Sequence, residues 1–274
     1  MVSTTDDYVL GRDLYGSIRL DAQHVIWTVH NGFTMNPKIP ISPDMRIAEI
    51  GTGTSMWLLD LASRLPKTVT LDGYDISADQ FPHKSLLPPN VTLGTMNAFE
   101  DVPEHLVGKY DVVHLRFWAL IVKGSDPSKV IHHVATLLKP GGYVQWEDAH
   151  NGDVTTSGEE ADALKSMLKA VYKSANFDFD WLTNLGDHAQ KGGLDVLENY
   201  HGPVHPTVVP LTTTTYLGAF YELFAGIDRL KDESLPTKEE CQRILIDLLA
   251  KYRKGEALFH WKAVTLLAQK PLRL

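Results

Sequence analysis

The stretch Arg46-Ile47-Ala48-Glu49-Ile50-Gly51-Thr52-Gly53-Thr54-Ser55-Met56-Trp57-Leu58-Leu59 decides the fold. Its apolar run ends in Gly51-Thr52-Gly53, and Leu58, Leu61, Ala62 and Leu65 then recur at helical spacing until Pro66 stops the helix. Strand, tight glycine turn and helix form the opening unit of a doubly wound, mostly parallel α/β sheet. Such sheets bind ligands at the carboxyl ends of their strands, where this turn lies. Gly51 and Gly53 let the backbone approach a ligand where a Cβ would collide.

The residues around the turn narrow the ligand. A dinucleotide fingerprint wants a glycine at position 56, and this chain has Met56. Glu49 stands two residues before the first glycine, and Asp75 closes the next apolar run, Val69 to Tyr74. A carboxylate at 75 can accept hydrogen bonds from both hydroxyls of a nucleoside ribose. A third run, Val91 to Met96, ends in Asn97-Ala98. The Asn97 amide can meet a base edge, or it can simply form the turn.

The rest of the chain fits around that unit. Residues 1–45 precede the first sheet strand and read as a helical cap and linker, with Leu14, Ile18, Leu20, His24, Val25 and Trp27 suggesting one or two amphipathic helices. Asn36 to Pro43 carries three prolines and is extended. Tyr110 to Phe117 is the fourth strand, and Asp126-Pro127-Ser128 starts a helix whose far face holds His132 and His133, expected in solvent. Lys139-Pro140-Gly141-Gly142 turns into the fifth strand, and Ser157 to Glu160 reads as a capping box. A short helix is expected over Trp181 to Gln190 and the sixth strand over Leu194 to Val204. A helical insertion at about 210–254 precedes a last strand, Phe259 to Ala268, so that 46–274 forms the main domain.

Composition excludes several classes. A net charge of -8 argues against nucleic acid as the main partner. The single cysteine, Cys241, removes internal disulfides and multi-cysteine zinc sites, and no metal site is expected. The start Met1 to Asp7 lacks the pattern of a leader, and no run is long enough to span a bilayer. A cytoplasmic protein, monomer or homodimer, is the expectation.

Together, Arg19 to His24, Ile39-Pro40, Glu49 to Thr54, Trp57-Leu58, Asp75-Ile76-Ser77, Gln80-Phe81-Pro82, Lys139 to Tyr143 and Gln145-Trp146-Glu147 resemble one family. It is the class I methyltransferases of fungal secondary metabolism, those similar to the gliotoxin-pathway N-methyltransferase and its regulator-like relatives. The resemblance implies a seven-stranded sheet whose last strand runs antiparallel, and S-adenosylmethionine as methyl donor, leaving S-adenosylhomocysteine as product. It assigns cofactor contacts to Glu49, Gly51, Gly53 and Asp75, with Asn97 at the adenine edge. Their neighbours Thr52, Ile76, Ala98, Leu115 and Arg116 complete the expected cofactor set. The chain departs from the family at Ser55, where a third glycine is usual.

Methyl transfer from a sulfonium needs alignment and the exclusion of water, and a hydroxyl or amide nucleophile also needs a base. Candidate bases are His150, Glu147, Asp148 and His24, with His150 the most natural near neutral pH. Tyr15, Trp27, Phe33, Trp118, Tyr216 and Phe220 supply the aromatic surface for a small, largely apolar natural product methylated on N or O. A fold that keeps its cofactor for another role, as a cyclisation catalyst or a regulatory partner, is the alternative.

Overall fold

A computed structural model describes residues 9–272. The start Met1 to Asp7, expected to carry no leader, lies outside them, as does the first part of the cap. Helix α1 (Leu14–Asn31) is followed by β1 (Arg46–Ile50), α2 (Met56–Arg64), β2 (Thr70–Asp75), β3 (Val91–Thr95) and β4 (Tyr110–Arg116). Then come α3 (Ser128–Leu137), β5 (Leu138–Ser157), α4 (Glu159–Ser174), α5 (Asp180–Thr183), α6 (Leu185–Lys191) and β6 (Asp195–Pro203). Helices α7 (Val209–Ala225) and α8 (Lys238–Tyr252) lead into β7 (Leu258–Gln269).

The seven strands form one sheet in the order β3-β2-β1-β4-β5-β7-β6. Pairs from β3 through β5 are parallel, and β7 runs antiparallel to both β5 and β6. Because helices cover both faces, β1 and β4 are buried along most of their length rather than alternating, polar Glu49 and His114 included. Ile47 and Leu71 pack with Trp57, Leu58 and Leu61 on one side. Ala48, Ile50, Val113 and Leu115 pack on the other with Trp146 and Trp261.

Helix α1 departs from the expected pattern. Arg19, Gln23 and His24 are buried together with Ile26 and Trp27, while Leu14, Ile18, Val25 and Val29 face outward. Buried polar groups need partners, and distant segments supply them. The Arg19 guanidinium makes a two-point bridge to Glu222 of α7, with Nε–Oε1 at 3.0 Å and Nη2–Oε2 at 3.2 Å. Two local expectations are corrected. His133 is buried, its Nδ1–H donating to the Glu100 carbonyl at 3.0 Å, whereas His132 is exposed. No side chain caps α4, because its N-cap position is Gly158 in a glycine-only conformation (φ 91°).

Candidate active site

The carboxyl ends of β1 to β4 open into one cavity of about 560 Å³, within the roughly 300–1,000 Å³ usual for small-molecule sites. Glu49 to Thr54 form one wall, Asp75, Ile76, Asn97 and Ala98 another, and Arg116 to Trp118 a third. Leu20 and Gln23 of α1 reach over it.

The glycine turn is shaped as its sequence requires. Gly51 and Gly53 take left-handed backbone angles (φ 76° and 50°). The Gly51 and Thr52 N–H groups donate to the Tyr74 carbonyl at 2.8 and 3.0 Å. A Cβ on Gly53 would stand 2.8 Å from the Leu20 side chain, and one on Gly51 3.4 Å from the Trp118 indole. The next residue of the pattern is anomalous. Ser55 adopts the same left-handed region (φ 63°) at the N-cap of α2 without capping it. Its hydroxyl is buried and has no hydrogen-bond partner among the described residues. Left-handed strain and an unpaired hydroxyl together outweigh the extra unfolded-state freedom of glycine, so Ser55→Gly is expected to stabilise the fold by about 1 kcal/mol. Urea unfolding would read this as a raised midpoint with an unchanged slope; a lowered midpoint would contradict it.

Asp75 faces the cavity from the end of β2. Its Oδ2 accepts the Gly53 N–H at 2.9 Å and its Oδ1 the Ser77 N–H at 3.2 Å. Burial pushes its carboxyl above the ordinary range, against the pull of those two bonds. Beside it, Asn97 lines the wall while its Oδ1 accepts the Phe99 N–H at 3.0 Å, the local turn its residue type favours.

Arg116 closes the floor. Its Nη1 lies 3.4 Å from His24 Nδ1 and 3.5 Å from Glu147 Oε2. A guanidinium can only donate, so His24 accepts at Nδ1 and donates from Nε2 to Asp60 Oδ2 at 3.2 Å. Burial first, and then the Arg116 charge, hold His24 below the ordinary imidazole value. Beyond Arg116 the chain leaves the sheet at Phe117 in a left-handed conformation (φ 60°). Asp148 holds this turn by accepting the Trp118 and Ala119 N–H groups at 2.8 and 3.2 Å.

Of the residues picked from sequence, Glu49, Gly51, Thr52, Gly53, Asp75, Ile76, Asn97, Ala98, Arg116 and Trp118 come together on the cavity. Leu115 lies in the core beneath it. Tyr216 and Phe220 line a second, small cavity of about 40 Å³ between α1 and α7, which shares Leu20, Gln23, Phe117 and Leu120 with the first. Trp27 is packed away, stacked on Trp261 at 5.3 Å. Tyr15 is 74% exposed on the outer face of α1, and Phe33 sits half-buried in the turn after that helix. His150 is outside both cavities, with Nδ1 accepting the Asp153 N–H at 3.0 Å and Nε2 at 3.0 Å from the Thr183 hydroxyl. Glu147 is buried under the floor, where Asn31 and Gln145 donate to its Oε1 at 2.7 and 2.8 Å. Sequence reasoning passed over Gln23, Leu20, Leu120 and Ile121. Gln23 adjoins His24, and only the helical phase of α1 decides which of the two faces the cavity.

A glycine turn at the switch of a doubly wound sheet, an acid at the end of the next strand and a reversed β7 define a nucleoside-cofactor site of the methyltransferase type. Residues 35–199 match the family model described as "Methyltransferase domain", and the chain belongs to that family. It is 33% identical over 172 residues to the N-methyltransferase tcpN of Claviceps purpurea (strain 20.1), covering 62% of this chain and 60% of that one. To the N-methyltransferase gliN of Aspergillus fumigatus it is 28% identical over 176 residues, 64% of this chain and 58% of that one. The aligned stretch thus spans less than two thirds of these relatives' own length. The fold is shared with phosphoethanolamine N-methyltransferase 2 of Haemonchus contortus, solved with S-adenosyl-L-methionine. There the TM-score is 0.50 at 18% identity, with 90% of this chain and 51% of that one covered. Among the described residues no helix is long and apolar enough to cross a membrane.

Proposed function

We propose that this chain is an S-adenosylmethionine-dependent methyltransferase acting on a nitrogen of a small, largely apolar natural product. The observation that carries the reading is the convergence of the glycine turn, Asp75 and the end of β3 on one cavity, cradled where a Cβ would intrude. S-adenosylmethionine supplies, when bound, an electrophilic methyl group on a sulfonium sulfur.

The chain's residues take the remaining tasks. Asp75 accepts hydrogen bonds from ribose hydroxyls, and Ile76, Asn97 and Ala98 flank the base. Glu49, Thr52 and Gln23 hold the amino-acid end. Leu20, Phe117 and Leu120, common to both cavities, keep water from the junction where acceptor and donor meet. Tyr216 and Phe220 give the acceptor side an apolar wall. The small cavity's described lining holds Arg19, Gln23 and Asn151 but neither carboxylate nor imidazole. Burial also drives the Tyr216 hydroxyl far above its ordinary value, so it is a poor base. A neutral amine needs no base, which favours nitrogen over a hydroxyl, and the names of both fungal relatives agree with that choice. The net charge of -8 weighs against a nucleic-acid partner, and the reading places the protein in the cytoplasm as a monomer or homodimer.

The test is calorimetric titration with S-adenosylhomocysteine, followed by transfer of labelled methyl to matched apolar amines and alcohols. Binding with methylation of amines alone is expected. Absence of binding would remove the cofactor reading, and transfer to alcohols alone would remove the choice of nitrogen.

A further inference from the structure

Beneath the cavity floor lies a histidine that the transfer reaction does not use. His114, in the middle of β4, is fully buried. Sheet register places it directly beside Glu49 of β1 and Gln145 of β5. Its Nδ1 lies 3.1 Å from Glu49 Oε1 and its Nε2 3.3 Å from Glu147 Oε2. The Trp57 indole from α2 stacks on the ring, with centroids 3.9 Å apart and planes within 5°. Each ring nitrogen therefore meets a carboxylate oxygen.

The two carboxylates lead in different directions. Glu49 lines the cofactor cavity, and its other oxygen accepts the Thr52 hydroxyl at 2.6 Å. Glu147 is away from the cavity and is tied to the end of α1 by Asn31. The charged groups in this cluster are Glu49 from β1, Glu147 from β5 and Arg116, whose guanidinium neighbours Glu147. Burial alone would raise the Glu147 carboxyl, but the His114 bond and charge, Arg116 and Gln145 outweigh it and hold the group below the ordinary range.

We propose that His114 is a positioning residue, bridging Glu49 and Glu147 through its two ring nitrogens so that Glu49 is held toward the cofactor and coupled through Glu147 to cap helix α1. The inference rests on the cofactor reading of the cavity. Cofactor binding and the seating of α1 are then two ends of one hydrogen-bonded row, Thr52–Glu49–His114–Glu147–Asn31. A hydrogen-bonded row buried under a site fixes its geometry because every member is satisfied only in one arrangement.

The test uses the full chain and a double-mutant cycle. Adding Glu147→Gln to a His114→Gln background is expected to cost no further affinity for S-adenosylhomocysteine, because the row is already broken. Should His114→Gln fail to fold, Asn31→Ala takes its place in the cycle. Calorimetry with S-adenosylhomocysteine is expected to show at least about a fivefold loss of affinity in Glu147→Gln, a residue that does not line the cavity, in keeping with ordinary coupling between sites. Losses that simply add in the double variant, or Glu147→Gln binding as tightly as the parent, overturn the inference while leaving the cofactor reading intact. A parent protein that binds no S-adenosylhomocysteine overturns the cofactor reading and this inference with it.

Discussion

Replacing Asp75 by alanine is expected to weaken S-adenosylhomocysteine binding by roughly a hundredfold or more, since each hydrogen bond to a charged partner contributes about 1.5–3 kcal/mol. The carboxylate sits at the one place where β2 ends against the glycine turn, and it also fixes that turn through the Gly53 N–H. Alanine removes both the acceptors and that support. A pH signature should accompany the loss. Burial raises the Asp75 carboxyl above the ordinary aspartate range, and only the ionised form can accept from two hydroxyls without placing a proton between them. Affinity is therefore expected to hold at neutral pH and to fall on acidification, starting at a higher pH than an ordinary aspartate would impose. Asp75→Asn should bind weakly with no such pH dependence. Calorimetry from pH 7.5 downward would decide it, and undiminished affinity in Asp75→Ala would remove Asp75 from the site.

The part of the cavity around the glycine turn was legible in the sequence because its signals are local. Two glycines, an acid before them and an acid closing the next apolar run act within their own strand-turn units, so position in sequence is position in space. The part under α1 and α7 was not. Helix α1 buries Arg19, Gln23 and His24, whereas the stripe read from hydrophobic periodicity also counted Leu14, Ile18 and Val25, which face outward. That burial depends on Glu222 and Asp60, which lie far away in the chain. His150 suggested a base by residue type, yet Thr183 and the Asp153 backbone engage both its nitrogens away from the cavity. Trp27 and Tyr216 were equally aromatic in sequence. Only packing assigns the first to a stack on Trp261 and the second to a cavity wall. His114 drew no notice because a histidine within an apolar run looks like core until the fold brings Glu49 and Glu147 to its two ring nitrogens.

Asp148 shows the same dependence on register, and its replacement by asparagine is the second large effect expected. Among the sequence candidates for a base, it instead serves as an anchor. Oδ2 accepts the Trp118 N–H at 2.8 Å and the Trp146 indole N–H at 3.1 Å, while Oδ1 accepts the Ala119 and Ala149 N–H groups at 3.2 and 2.9 Å. Four donors converge on two oxygens, and an amide of the same shape must turn its NH2 toward two of them. Leaving those donors unpaired in the core is expected to cost about 3 kcal/mol or more, a fall in Tm on the order of 10 °C for a chain of this size. The loosened segment carries Phe117 and Trp118, two cavity residues, so cofactor affinity should fall as well. The pH dependence has a definite sign. Burial lifts the Asp148 carboxyl from 3.8 to about 6, against the pull of Trp146 and the backbone donors. Between those values the unfolded chain ionises before the folded one, so the native state holds more protons and loses stability as pH rises. The advantage of the parent over Asp148→Asn should therefore shrink from pH 4 to pH 6 and then level off. Thermal unfolding of both proteins across that range measures it. An advantage that grows with pH would mean that the four donors outweigh burial and hold Asp148 ionised throughout.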